Sequence, residues 1–422
     1  MNRRMVGYLS ARIPELLLEN LEDPRNARGK RWPLSRLLSG VLVGMVAGCK
    51  SLAQVEALTD EMSGAASKRL GLGRCIPDTT MRDTLVGLEP KEVRKVIHAQ
   101  TRAAHRRKAL EPVGLPFGVV SMDGKATQAQ AWDDTYAQRQ THSDGKRACG
   151  VVRTMTCTLV SSRPRACIDA IPIPASTNEM GQFKSSLKEL IFAYGGLNMF
   201  KIITYDAGAC SLENANAIID AKLEYLLRVN ENQPTLHAEA KAQLGSITND
   251  KALAMTEDVL GSYSVIRRVF LSEEMAGYMD WEHLRTVVRI RSEKVDETGQ
   301  VISHEDRYYA SSMEKGRLLP EQWLLLVRSH WGVENNCHNT FDTALCEDDR
   351  PWIEADPKGM VVVLLLRRIA YNLLSLFRSV TQRSEDKRQT PWADLLRWFY
   401  NAFIASTEEQ IAALRPRLAV EI

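Results

Sequence analysis

Asp123, Asp206 and Glu334 are the residues of this 422-residue chain whose types and surroundings best suit chemistry. Asp123 and Asp206 each follow a short β-rich apolar run, residues 117–122 and 201–205. Each is therefore expected at the tip of a buried strand, where a rigid scaffold presents side chains to solvent. Two blander roles stay open: Asp123-Gly124 also suits a turn, and Asp206 also suits the cap of a following helix. Glu334 falls in the middle of an apolar helical stripe. Trp323, Val327, Phe341 and Leu345 project within roughly 20° of it on a helical wheel, and Trp331 and Cys337 flank it at about 60°. A bare carboxylate there is costly unless it is paired or binds a cation. His330 and His338, a turn before and after, share this face, and Asp342 lies toward its edge. A buried salt bridge, or a zinc site built from His330, Glu334 and His338 on one helix, would also account for it. Two aspartates and a glutamate favour a hard, oxygen-liking ion, Mg²⁺ or Mn²⁺.

The elements that must hold these residues follow from periodicity. Residues 1–110 read as helices, with a continuous apolar run over 34–49 and helical periodicity over 52–62 and 90–110. From 116 the texture turns to strands: 117–122, 151–160 and 166–173, then a helix over 178–194, a strand over 201–205, a helix over 212–222 and a strand over 224–229. This order predicts an α/β fold, a mixed sheet flanked by helices. Residues 230–319 read as a β-rich insertion, with strands over 263–270, 286–294 and 305–310 and a hairpin turn at Glu297-Thr298-Gly299. Pro320 opens a long helix running to about residue 345. A helix over 360–378, a polar linker over 379–390 and a terminal helix over 392–405 complete the chain. The expected division is a basic helical domain over 1–110, a catalytic domain over 116–229 and 320–378 interrupted by the 230–319 insertion, and a linker with a C-terminal helix over 379–422.

Composition is that of an ordinary globular chain, 44% hydrophobic and 25% charged, which argues against disorder. The apolar runs 37–49 and 360–366 are too short to span a bilayer, so no membrane is expected. The start does not read as a signal peptide. The eight cysteines show no zinc-knuckle or redox spacing and suit reduced thiols in the cytoplasm. A net charge of +3 names no partner, but its distribution does. Lys91, Arg94, Lys95, Arg102, Arg106, Arg107 and Lys108 stand against one acid, Glu92, and a second basic stretch holds Arg25, Arg28, Lys30, Arg31 and Arg36. Such clusters neutralise phosphates, and two in one quarter of the chain tilt the reading from a solvated face toward nucleic acid.

Ordered motifs make the reading specific. SMDGK (121–125), TYDAGAC (204–210), NENQPTL (230–236), RYYASS (307–312) and RSHWGVENNCHNTFDTALCEDD (328–349) resemble the DDE transposases of bacterial insertion sequences, in the branch that includes the H-repeat-associated proteins. The opening LEDPRNARGKRWPLSRLLSGVLVGMVAGCKSL is similar to the family's N-terminal segment. The resemblance implies an RNase H-like catalytic domain with Asp123, Asp206 and Glu334 as its triad, separated by 83 and 128 residues. It implies two Mg²⁺ ions, with Mn²⁺ a substitute, that support cleavage of element ends and joining of the 3′-hydroxyl to target DNA. Lys125, Arg328, His330, Asn335 and His338 are implied beside the carboxylates or on the DNA backbone. Arg28, Lys30, Arg31, Arg94, Lys95, Arg102, Arg106, Arg107 and Lys108 make up the expected DNA-binding segment. The partners implied are double-stranded DNA and a second copy of the chain or a larger assembly, on the nucleoid in the bacterial cytoplasm. The chain departs from the pattern at Ala126–Ala129, where an Arg is usual, at Cys337 and Asn339 in the Glu-bearing helix, and at Asn230, where Lys is common. A domesticated DNA-binding protein, or a nuclease that cuts without joining, is the competing function.

Overall fold

The structure, a computed structural model, describes residues 2–26, 30–132, 135–141 and 148–414. Its centre is a ten-stranded mixed sheet. The strands are β1 (Val119–Ala129), β2 (Ala137–Thr141), β3 (Ala148–Leu159), β4 (Cys167–Ile173), β5 (Ile202–Tyr205), β6 (Glu224–Val229), β7 (Ala254–Leu260), β8 (Tyr263–Ser272), β9 (Thr286–Asp296) and β10 (Val301–Ser311). They run β2-β3-β1-β5-β6-β10-β9-β8-β7, with β4 pairing to β3 off this path. Only β1-β5 and β5-β6 are parallel, and the other pairs are antiparallel hairpin-like ladders. The region expected as a β-rich insertion thus continues the same sheet through the β6-β10 pairing. Its exposed edge strand β7, the short β2 and the helix over Pro234–Leu244 carry weak period-two or apolar signals and escaped the sequence reading.

Helices close both faces. The N-terminal ones are α1 (Asn2–Arg12), α2 (Leu34–Val46), α3 (Leu52–Glu61), α4 (Gly64–Leu70), α5 (Asp78–Gly87) and α6 (Pro90–Arg106). Then come α7 (Glu179–Tyr194), α8 (Leu212–Asp220), α9 (Pro234–Leu244), α10 (Pro320–His330), α11 (Asn339–Thr343), α12 (Pro357–Leu376), α13 (Glu385–Arg388), α14 (Trp392–Ala405) and α15 (Glu408–Ala412). One sheet face packs Val120, Ile203 and Leu227 under Phe183 and Leu187 of α7, Ile218 of α8 and Leu236 of α9. The other face packs Val119, Ile202, Leu226 and Val269 under Trp323, Leu324 and Val327 of α10. The alternation of strand side chains between the two faces is what lets one sheet serve both cores.

The N-terminal helices do not stand apart: α2, α3, α5 and α6 share one core with α12 and α14. Helix α2 is buried nearly all round, and Gly40 and Gly44 let it approach Ile76 and Val55, which a Cβ at either glycine would strike. Helix α12, with the π-helical turn that extends it to Thr381, is long and apolar enough to cross a membrane, yet its apolar stretch is buried inside the protein. Two arginines lie on it. Arg368 pairs with Glu347, both with fully buried side chains, and Arg367 donates to the Arg350 carbonyl. Burying these charges is tolerable only because each finds a partner.

Arg94 corrects a sequence expectation. It is buried rather than offered to DNA, and its guanidinium joins α6 to Asp169 of β4 at 2.7 Å and to Glu189 of α7. Positions of α6 that read as one basic cluster therefore divide by helical phase. Lys95, Arg102, Arg106, Arg107 and Lys108 are exposed, whereas Arg94 shares the inward face with Val93 and Ile97. Lys30 and Arg31 are exposed too, and Arg28 lies outside the described residues. Burial alone would push the Asp169 carboxyl up, but hydrogen bonds from His98 and Arg94 outweigh it and hold it at about 2. Asp169→Asn leaves Arg94 short of a counter-charge and is expected to cost about 3–5 kcal/mol at neutral pH, read by urea denaturation. Because the folded carboxyl titrates below its unfolded value of 3.8, its stabilisation is present above pH 4 and disappears as pH falls toward 2. The gap between wild type and variant should close over that interval. A variant within about 0.5 kcal/mol of wild type at pH 7 would remove the network from the account of what joins helices to sheet.

Candidate active site

Register places the first two carboxylates. Ser121 of β1 lies beside Thr204 of β5 in the parallel ladder. Two residues further on, Asp123 and Asp206 emerge on the same face. Here the strands part company. β5 ends at Tyr205, while β1 continues to Ala129, held by β3 on its other side, with Asp123 opposite Thr156. Asp123 therefore sits within a strand, neither in a turn nor at a strand tip, at the level where β5 stops. Asp206 does cap the short 3₁₀ turn Ala207–Ala209, accepting from the Gly208 N–H at 2.9 Å. Capping takes one carboxylate oxygen and leaves the other free.

His330 fixes the third. It is the last residue of α10 and is buried, with Nδ1 3.1 Å from Thr204 Oγ1 and 3.3 Å from Ser121 Oγ. The Ser121 hydroxyl also donates to the His330 carbonyl at 3.0 Å. Burial pushes the imidazole down to about 4, so the ring is neutral at physiological pH. The helix end is thus bolted to the two strands one pleat below the aspartates. A π-helical turn, Val333–His338, follows. Its wider winding inserts an extra residue into the helical path, and this overturns the wheel projection: Glu334 is exposed, while Val333 and Cys337 face the core. The long helix expected to residue 345 is accordingly α10, the π turn and α11 in succession. π turns of this kind collect at functional sites, where they re-aim a side chain.

Asp123, Asp206 and Glu334 are close enough to feel one another. Partial burial first, and then the charge of Asp123, raise the carboxyl pKa of both Asp206 and Glu334 above the ordinary range. A fourth carboxylate feels them from the α7 side of β1. Glu179, at the start of α7, is raised by burial and then by Asp123 and Asp206. Its carboxyl lies directly over Gly124, where a Cβ would come within 1.9 Å of Glu179 Cδ. No sequence signal pointed to this residue, because an acid after Asn178 reads as ordinary first-turn chemistry of a helix that Asn178 caps.

The remaining expected residues sort by what they touch. His338 Nδ1 lies 3.3 Å from Asp123 Oδ2. Lys125, on the face of Asp123, is buried and meets Asp342 at 2.7 Å and Asp348 at 3.2 Å, so its charge is satisfied inside the protein rather than by DNA. His330 is likewise sealed from DNA. Arg328 is exposed and pairs with Asp258 at 2.8 Å, and Asn335 is exposed. The one-helix zinc site does not form: His330 turns to Ser121 and Thr204, His338 to Asp123, and Asp342 to Lys125. Among the described residues no three His, Cys, Asp or Glu side chains gather tightly enough to hold an ion. The donor chemistry nonetheless fits a hard divalent cation, since half-buried carboxylates that repel one another are relieved by one.

Comparison with known proteins agrees with the motifs. Residues 16–99 match the family described as DDE_Tnp_1-associated. The chain is 28% identical over 196 residues to "Putative transposase YncI" of Escherichia coli O157:H7, covering 42% of this chain and 49% of that protein. It is 30% identical over 209 residues to "Putative protein YbfL" and 29% identical over 209 residues to "H repeat-associated putative transposase YhhI", both of Escherichia coli strain K12, covering 44% of this chain and 53% of each. The chain spans about half the length of the curated relatives it matches. By these matches and the motifs that run beside them, the chain is similar to proteins named as putative transposases, one of them H repeat-associated.

Proposed function

We propose that the protein is a DNA transposase in which Asp123, Asp206 and Glu334 form the catalytic triad of an RNase H-like domain that spans residues 116–229 and 320–378. The electrostatic coupling of Glu334 to Asp123 and Asp206, which follows from the Ser121–Thr204 register and the His330 bridge, supports this reading. Asp123, Asp206 and Glu334 would hold two Mg²⁺ ions, which supply activation of the attacking oxygen and stabilisation of the departing one. The protein's own residues keep those carboxylates in place. His330, being neutral, orients the backbone before Glu334 without adding a competing positive charge. His338 stands by Asp123 and orients it. Lys125 ties β1 to Asp342 and Asp348 and so holds α11 over the strand. The substrate is double-stranded DNA, whose element ends are cut and joined to a target, with two or more copies of the chain acting together in the bacterial cytoplasm. The exposed cations of residues 30–31 and 95–108 would supply phosphate contacts.

Asp123→Ala, Asp206→Ala and Glu334→Ala should each reduce cleavage of supercoiled plasmid and candidate end DNA in Mg²⁺ or Mn²⁺ by at least about 10²-fold, with DNA binding kept. Wild type that binds end DNA and never cuts it would make the protein a DNA-binding relative instead. Cutting without joined products would make it a nuclease.

The raised carboxyls give an independent readout. A group whose pKa rises on folding stabilises the protein below its unfolded pKa, and that contribution is lost as pH climbs through the folded value. Glu334 thus burdens the fold at pH 7–8, and Glu334→Gln should have the higher Tm there, an advantage that shrinks as pH falls through the carboxylate range. Added Mg²⁺ should raise the Tm of wild type more than that of the variant. Equal Mg²⁺ shifts would deny Glu334 a part in holding the ion.

Glu179 belongs to the same cluster. Gly124→Ala should displace its carboxyl and lower cleavage about tenfold, and in a Glu179→Ala background the same change should add little, since both act through one side chain. Full activity in Gly124→Ala would dismiss Glu179 from the site.

A further inference from the structure

The sheet face that carries the aspartates also carries an arginine track, of which the motifs contain Arg307 without giving it a role. Thr204 of β5 lies beside Leu226 of β6, so Asp206 comes level with Arg228. Arg228 is paired in register with Tyr309 of β10, and Arg307 follows on the same face two residues along. Further out, Arg267 of β8 shares this face with Val269, which packs under α10. Helix α10 runs over this face and stops at His330, and the arginines flank its last turns, Arg328 of the helix sharing Asp258 with Arg267. Trp331, the residue that ends the helix, stands among them. The guanidinium carbon of Arg307 is 4.8 Å from its ring centroid and that of Arg228 is 5.7 Å. Beside the ring opens a groove of about 680 Å³ lined by Arg165, Arg267, Arg307, Arg328, Trp331 and Asn335.

The charges on this track are only partly answered. Asp258 is shared by Arg267 and Arg328, and Arg307 meets Glu305 at its exposed end. Arg228 makes no ion pair among the described residues and rests half-buried against the indole. A guanidinium stacked on an aromatic ring keeps its N–H groups directed outward in the ring plane, free for a bidentate acceptor. The arrangement begins beside the carboxylates and leads away from them along one face. A positive track with an aromatic beside it suits a nucleic-acid backbone.

We propose that this track seats the DNA strand that enters the carboxylate cluster, with Arg228 and Arg307 receiving backbone phosphates next to the one that reacts and Trp331 holding both guanidinia in place. The assignment rests on the transposase reading and names the surface that reading leaves open. It differs from the basic N-terminal segment, which the sequence advertised, in lying on the sheet beside the reacting groups.

The test uses the full chain and a fluorescein-labelled 30-base-pair duplex of mixed sequence, titrated over a range of salt. Each lost phosphate contact reduces the slope of log K against log salt by about 0.9. Arg228→Gln and Arg307→Gln should each show that reduction and bind several-fold more weakly at moderate salt. Arg228→Lys should keep the slope, and Arg397→Gln, an exposed arginine on α14 far along the chain, should match wild type. Thermal melts of each variant separate lost contact from lost fold. For a variant that melts early, protection of Arg228 and Arg307 from phenylglyoxal by the duplex in wild type, read by mass spectrometry, takes its place. Unchanged slopes with Arg228 and Arg307 unprotected, in a wild type that binds DNA, overturn the track and leave the transposase reading standing. Wild type that binds no DNA at all overturns both.

Discussion

One buried, neutral imidazole holds the candidate site together. His330 spans Ser121 on β1 and Thr204 on β5, and it does so from the last turn of α10. Each of these contacts is modest, worth about 1 kcal/mol in most proteins. Their consequence is geometric. They fix the height of the helix end against the two strands, and everything that follows His330 in the chain inherits that height. Without the anchor, a carboxylate four residues later would have no reason to face two aspartates that repel it. Burial keeps the ring uncharged, so no cation beneath the carboxylates satisfies them and their mutual repulsion stands.

The opposing charges elsewhere show the same economy. Lys125 lies two residues from Asp123 on the same face and could have neutralised it, yet it is engaged by Asp342 and Asp348. Arg94 is engaged by Asp169 and Glu189, and Arg368 by Glu347. Cations inside the fold are matched to acids that serve as struts. The carboxylates at the end of β5 have one another, His338 and the more distant Arg228 and Arg153 as their charged neighbours. Such unrelieved repulsion is a destabilising arrangement that a fold retains where the groups have work to do.

The sequence made the sheet and its flanking helices readable, because strands such as 224–229 and helices such as 392–405 have strong periodicity and clear punctuation. Asp206 was legible for the same reason: a buried strand ends just before it. Asp123 was placed on the correct strand but at its tip, since Asp-Gly looks like a stop; only the β3 ladder, a partner 33 residues away in sequence, shows that the strand runs on. Glu334 was chosen for an argument that fails in detail. A 100° wheel assumes an α-helix throughout, and no local propensity in Val333–His338 announces a π turn, whose stability comes from tertiary packing of Val333 and Cys337. Glu179 and Arg228 were invisible because each is ordinary in its local context and becomes notable only through neighbours brought by the fold.

The edge of the sheet beyond α10 explains why a long β-rich region sits between the second and third carboxylates. Had the chain passed directly from β6 to α10, the helix would have covered a narrow sheet and the face beside Asp206 would have ended at Arg228. The four strands added through β10 widen that face, and because β10 pairs with β6 in register they carry the same side-chain parity outward. Residues at alternate positions on successive strands then form a row across the sheet, and arginines at 228, 307 and 267 make that row positive. A helix that stops early, a sheet that continues and a conserved parity between them produce an open, charged surface leading to the carboxylates. If the carboxylates act on DNA as proposed, the 230–319 region is the floor of the approach to them rather than an appendage interrupting the domain.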